Sequence, residues 1–153
     1  MSEKKRDQNS TRVIVADDHA GVRAGIRRLL ESSPDLLVIG EAKDGIEALE
    51  LVENLKPDVL LLDVEMPLLD GRQVATKLKE RKSQVKILVL SSYNNTQYIS
   101  SMLSNGVAGY ITKDEAPAIL VKAVLGVANG EKGWFSQEVV SKISDWHPKT
   151  SKS

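Results

Sequence analysis

The sequence contains no cysteine, which excludes a disulfide framework and any thiolate metal site. It has no net charge, because 21 Lys and Arg balance 21 Asp and Glu. No overall basic field therefore favours nucleic acid as a direct partner of this chain. No apolar run approaches about 20 residues, so no membrane-spanning helix is expected. The stretch from Met1 to Arg12 is charged and lacks an apolar core, so it does not read as a secretory signal. What remains fits one soluble, cytoplasmic globular domain, with 153 residues and 41% apolar side chains. A chain of that size buries roughly two thirds of its unfolded surface, enough for a core without cross-links.

The chain is organised around Pro57-Asp58-Val59-Leu60-Leu61-Leu62-Asp63-Val64-Glu65-Met66-Pro67. Val59 to Leu62 shows no polar alternation, so both of its faces must be buried, as in a central strand of a parallel sheet. The run ends abruptly in Asp63. In open α/β sheets, ligands and chemistry collect at the carboxyl ends of the strands. An Asp there is a metal ligand, a nucleophile or a helix cap.

Residues 1–11 are polar and aperiodic, and read as a disordered leader. Arg12 to Ala16 is a short buried strand ending in Asp17-Asp18-His19. Adjacent carboxylates repel, and the pair reads either as a cation site or as the N-cap of the following helix, with one of the two capping in either case. Gly21 to Glu31 carries Val22, Ile26, Leu29 and Leu30 at helical spacing, and Ser32-Ser33-Pro34 breaks it. Leu36 to Ala42 is a second strand, and helix Ile46 to Leu55 follows the turn at Asp44-Gly45. After the central strand come turn chemistry at Leu68 to Gly71 and a helix from Arg72 to Arg81. Val85 to Leu90 is a strand that runs into Ser91, and a helix starting near Asn94-Asn95-Thr96 stops at Asn105-Gly106. Val107 to Thr112 is a strand ending at Lys113, and a last amphipathic helix stops near Asn129-Gly130.

Five strand–helix repeats predict an α/β fold with a parallel sheet covered by helices on both faces. Four of the five strands end in a reactive or hydrogen-bonding side chain: Asp17/Asp18, Asp63, Ser91 and Lys113. In a parallel sheet all of them meet at one edge. Three carboxylates without a His or Cys cluster suit a hard cation such as Mg²⁺. A carboxylate can attack phosphorus to form an aspartyl phosphate. A cation and a lysine can balance the charge on the transferring group, and a serine hydroxyl can bond one of its oxygens.

These motifs resemble the receiver domain of two-component response regulators. The matching stretches are Asp17-Asp18, Leu62 to Pro67 with Asp70-Gly71, Val89-Leu90-Ser91, and Gly109 to Lys113, and they span about 12–129. The resemblance implies a flavodoxin-like, doubly wound five-stranded sheet of order 2-1-3-4-5. It implies Asp63 as the phospho-acceptor and Lys113 as the contact to the phosphoryl group. It also implies Mg²⁺ held by Asp18 directly, Asp17 largely through water, Asp63, and the backbone carbonyl of Glu65. Ser91 and Tyr110 become the switch pair. The implied donor is a sensor histidine kinase, with a homodimer possible on activation. Such a domain is not an enzyme on other molecules; it catalyses only its own phosphorylation and dephosphorylation.

Asp17-Asp18-His19 and Gly130 to Ser136 resemble the NarL/LuxR-type transcription regulators, in which a helix-turn-helix domain follows the receiver. On that reading residues 12–130 are the receiver, and 131–153 are a linker with a short helix, since Val139, Val140, Ile143 and Trp146 fall near helical spacing. No recognition helix fits after Ser136, so DNA would be reached only through a missing output domain, or the chain is a stand-alone receiver acting by protein contact or phosphorelay. Two other classes stand further off. A phosphohydrolase of the haloacid-dehalogenase type expects an Asp where Glu65 stands. A flavin-binding module expects a phosphate-binding loop where Asp17-Asp18 would repel the phosphate.

Overall fold

A computed structural model describes residues 10–144. Of the leader reading for 1–11, residues 1–9 lie outside the described residues, as does the assignment of Trp146 to a helix; Ser10 is buried and Thr11 begins the first strand, its amide donating to the Asp35 carbonyl at 2.8 Å, which corrects the leader's expected end. The elements are β1 (Thr11–Ala16), α1 (Ala20–Glu31), β2 (Leu36–Ala42), α2 (Gly45–Leu55), β3 (Val59–Leu62), α3 (Gly71–Glu80), β4 (Lys86–Ser91), α4 (Thr96–Ser104), β5 (Gly109–Thr112), α5 (Ala116–Ala128), β6 (Trp134–Phe135) and α6 (Gln137–Ser144). Every strand pairing is parallel.

The central strand shows why an unbroken apolar run reads as buried on both sides. Val59 and Leu61 face a core shared with Ile26 and Leu30 of α1 and with Leu120 and Val124 of α5. Leu60 and Leu62 face the opposite core, with Leu49 of α2, Val74 of α3 and Met102 of α4. Alternation of two along the strand distributes its side chains between the two layers. Three helix starts are set by local chemistry. Asp44 accepts from the Glu47 amide, Asp70 forms a capping box with Gln73, and Asn95 accepts from the Tyr98 amide.

Among the described residues the sheet has six strands in the order β2-β1-β3-β4-β5-β6, which corrects the expected five. The first five follow the expected order. The addition is the two-residue β6, which pairs Trp134 with Gly109 and Phe135 with Tyr110. Two residues are too few to show any periodicity, so nothing in their own pattern announces a strand. The pairing depends on Gly109 lacking a side chain: a Cβ there would press into the Trp134 carbonyl and lie 2.8 Å from Leu88 Cδ1. Beyond β6, Val139 of α6 is fully buried and Ile143 packs against the same core, while Val140 faces solvent. Among the described residues no helix is long and apolar enough to cross a membrane.

Candidate functional site

The ladder hydrogen bonds carry on one residue past the strands and so fix the acidic edge. The Asp17 amide donates to Ala42 at 3.0 Å, and the Asp63 amide donates to Ala16 at 3.0 Å. The Lys113 amide donates to the Ser91 carbonyl at 3.0 Å. Asp17, Asp63 and Lys113 are thereby anchored through their backbones to neighbouring strands. Asp63 is 4% exposed and Asp17 is 1% exposed.

Lys113 Nζ stands 2.6 Å from Asp17 Oδ2 and 3.4 Å from Asp63 Oδ2. Burial alone would lower its pKa; the hydrogen bond to Asp17 and the charges of both carboxylates outweigh it and hold the ammonium above its ordinary value. Asp63 is pushed up to about 6, first by burial and then by the charge of Asp17, against the opposing pull of Lys113 and the Glu65 amide. Asp63 Oδ1 is buried and receives no hydrogen bond. A buried carboxylate oxygen without a donor fits a cation or an incoming electrophile, since leaving it unpaired is costly.

Neither Asp17 nor Asp18 caps α1, which corrects the expectation that one of them would. The N-cap is His19, without a side-chain cap, and Asp17 Oδ1 accepts from the His19 amide at 2.9 Å. Both carboxylates are therefore free of helix-capping duty. Asp18, His19, Asp63, Glu65, Tyr93 and Lys113 line a cavity of about 400 Å³. A larger cavity of about 810 Å³ lies at the opposite end of the strands, around Pro57 and Val85. Asp63 and Lys113 do not reach it, so the smaller cavity is the site. The Glu65 carboxylate turns outward to accept from Tyr98 Oη at 3.3 Å. That leaves its backbone, not its side chain, to serve the cavity.

Ser91 and Tyr110 sit one layer behind. Ser91 is fully buried and its Oγ accepts from the Tyr93 amide at 3.0 Å. Tyr110 is also fully buried, and its hydroxyl donates to the Tyr93 carbonyl. Burial pushes that hydroxyl up to about 12, with the Ser91 hydrogen bond opposing. Both residues therefore hold the same partner, Tyr93, on its two backbone groups. The neighbouring Asn94 donates its side-chain amide to Glu138 of α6. Glu115, two residues beyond Lys113, accepts from the Gln137 and Glu138 amides at 2.9 and 3.3 Å. The first turn of α6 is thus tied to the segments after both β4 and β5. Sequence reasoning missed two of these features. Tyr93 acts through its backbone, which no residue type reveals. The position of His19 is not legible either, because a single histidine forms no cluster by itself, yet its Nδ1 lies 3.0 Å from Asp18 Oδ1.

This edge, with a buried strand-end carboxylate, a strand-end lysine and an acidic pair on a doubly wound sheet, defines a receiver domain. The family model for the response regulator receiver domain matches residues 13–125. The nitrate/nitrite response regulator NarL of Escherichia coli K12 is 37% identical over 125 residues, covering 82% of this chain and 58% of that protein. The transcriptional regulatory protein DegU of Brevibacillus brevis is 36% identical over 124 residues, covering 81% of this chain and 52% of that protein. Among solved structures, the signal receiver domain of NarL from Mycobacterium tuberculosis superposes with a TM-score of 0.77 at 40% identity, covering 80% of this chain and 99% of that one. The chain belongs to the response regulator receiver domain family. Its relatives make it a receiver of the NarL/LuxR type, and it spans little more than half the length of the curated relatives it matches. Receiver domains bind Mg²⁺ at an acidic pocket, and an acidic cluster is present at this edge.

Proposed function

We propose that this chain takes a phosphoryl group onto Asp63 from a sensor histidine kinase and passes the change to a DNA-binding output domain. The carrying observation is the Asp63 carboxylate, buried and facing Lys113, with one oxygen free of hydrogen bonds. In the transfer an Asp63 oxygen bonds to phosphorus as the bond from phosphorus to the donor's imidazole nitrogen breaks, and that nitrogen ends protonated. Lys113 already stands between Asp17 and Asp63, so its ammonium reaches the added oxygens with a small shift. Asp17, Asp18, Asp63 and the Glu65 carbonyl would hold Mg²⁺, which supplies further positive charge against the phosphoryl oxygens. With no net charge on the chain, DNA would be met by a separate helix-turn-helix domain, and a homodimer on activation would fit the same role. Incubation with Mg²⁺ and a small acyl phosphate should add one phosphoryl group by intact mass. An unchanged mass sinks the reading.

Readout runs through Tyr93. A Ser91 hydroxyl that turns to a phosphoryl oxygen gives up the Tyr93 amide, and loosens the segment whose Asn94 holds Glu138. A phosphoryl group shifts a conformational equilibrium only through such a differential contact. Ser91→Ala should therefore still be phosphorylated, yet lose the phosphorylation-dependent change in amide hydrogen exchange across 94–110 and α6. Equal responses in wild type and variant would show that Ser91 does not carry the signal.

A further inference from the structure

Asp17 is gripped by both of its backbone groups. Its amide donates to the Ala42 carbonyl at 3.0 Å, and its carbonyl accepts from Arg23 Nη1 at 2.6 Å. The same guanidinium donates through Nε to Glu41 Oε1 at 3.1 Å. Glu41 directly precedes Ala42 on β2, so two neighbouring residues of that strand hold Asp17, one directly and one through Arg23. The Arg23 side chain is 16% exposed. Taking a charge that far out of water is costly, and its bonds to Glu41 and Asp17 offset the cost. A guanidinium is planar, with its donors in fixed directions, so the Glu41 bond sets where Nη1 points.

The accepting carbonyl lies in the peptide plane that joins Asp17 to Asp18. Its direction therefore sets the backbone from which the exposed Asp18 side chain leaves toward the cavity. A plain tie between α1 and β2 needs no such reach. Arg27, one turn further along α1, makes that tie: its Nη1 donates to Glu41 Oε2 at 2.7 Å and its Nε to Glu31. Arg23 adds the bond to Asp17. We infer that Arg23, oriented by Glu41, is a positioning residue for the acidic edge, fixing the Asp17–Asp18 peptide so that both carboxylates are placed for a cation. The inference rests on the acidic edge being the cation site proposed above, and adds to it a residue that touches neither the cation nor the phosphoryl group.

The test titrates the whole chain calorimetrically with Mg²⁺ alone. Arg23→Met should lose at least about tenfold in affinity, the scale of removing a group that orients a metal ligand. Arg27→Met gives up the same carboxylate partner and should stay within about twofold of wild type. Arg23→Lys keeps the charge beside Glu41 but not the planar bridge, and should bind as weakly as Arg23→Met. Labelling by an acyl phosphate then separates placement from folding. Arg23→Met should need about tenfold more Mg²⁺ for half its maximal rate, yet reach a maximum within about twofold of wild type, because Asp63 and Lys113 are anchored from β1 and β4. Wild-type Mg²⁺ affinity in Arg23→Met, equal weakening in Arg27→Met, or full recovery in Arg23→Lys overturns the assignment and leaves the cation site standing. So does a lost maximum that Mg²⁺ does not restore, the mark of a residue that only holds the fold together. Failure of the wild type to bind Mg²⁺ overturns the cation site and the assignment together.

Discussion

Asp63→Asn will stay unlabelled by an acyl phosphate and, in the same sample, melt at a higher temperature than the wild type at pH 7.5 in chelator. The amide keeps the shape of the carboxylate but is a poor nucleophile, so the labelling loss should be complete. The stability gain follows from burial. Asp63 is 4% exposed and its pKa is raised to about 6, against about 3.9 in an unfolded chain. A raised folded-state pKa means that the native form holds its proton more tightly. The associated stability is fully present below about pH 4 and is lost as the pH rises through about 6. At pH 7.5 the wild type therefore carries a buried charge that Lys113 only partly offsets, sharing itself with Asp17. Replacing that charge with a neutral amide should add about 2 kcal/mol, or roughly 4–8 °C in a domain of this size. The gain should shrink with acidification and vanish near pH 4. Added Mg²⁺ should narrow it from the other side, because the cation stabilises the native wild type through the carboxylate that the variant lacks. Thermal melts from pH 4 to 8, with and without Mg²⁺, check the whole pattern. A variant less stable than wild type at pH 7.5 would mean that the Lys113 pairing outweighs the cost of burial.

The second large effect comes from a residue that touches no ligand. Gly71 opens α3 against the backbone of Asp63 and Val64, and its amide donates to the Val64 carbonyl at 2.7 Å. A Cβ there would press into the Asp63 carbonyl and lie 2.8 Å from Val64 Cα. Both are backbone atoms, so no flexible side chain can yield. Gly71→Ala must shift either α3 or the end of β3. We expect a loss of about 3 kcal/mol, near the upper end of what overpacking costs, and roughly 6–12 °C in the melting temperature. Labelling should slow by about a hundredfold, because a displacement near 1 Å at the reacting carboxylate is enough for that. Gly25→Ala is the control. It is exposed on α1, with nothing within 4 Å of the added carbon. It should gain a few tenths to about 1 kcal/mol from helix propensity and label at the wild-type rate. Wild-type labelling by Gly71→Ala would show that the α3 contact does not position Asp63.

Much of this protein is legible in its residues because the relevant physics is local. Val59 to Leu62 has to be buried on both faces, so it is a central strand wherever the rest of the chain goes. Once β1, β3 and β5 are parallel, Asp17, Asp63 and Lys113 must share an edge, and the sequence by itself determined that convergence. Asp44, Asp70 and Asn95 announce their helix starts through bonds that span only three residues.

The tertiary structure decided what depends on distance between residues far apart in the chain. β6 exists because Gly109 leaves room for Trp134, 25 positions later in the numbering. Lys113 sits closer to Asp17 than to Asp63, at 2.6 against 3.4 Å, and only a three-dimensional charge balance sets that preference. Ser91 and Tyr110 can be named as a pair from resemblance, but their shared hold on the backbone of Tyr93 cannot be, because a main-chain partner leaves no trace in residue type. His19 joins Asp17 and Asp18 through the direction of an exposed side chain, which rotamer choice and neighbouring charge decide after the fold has formed.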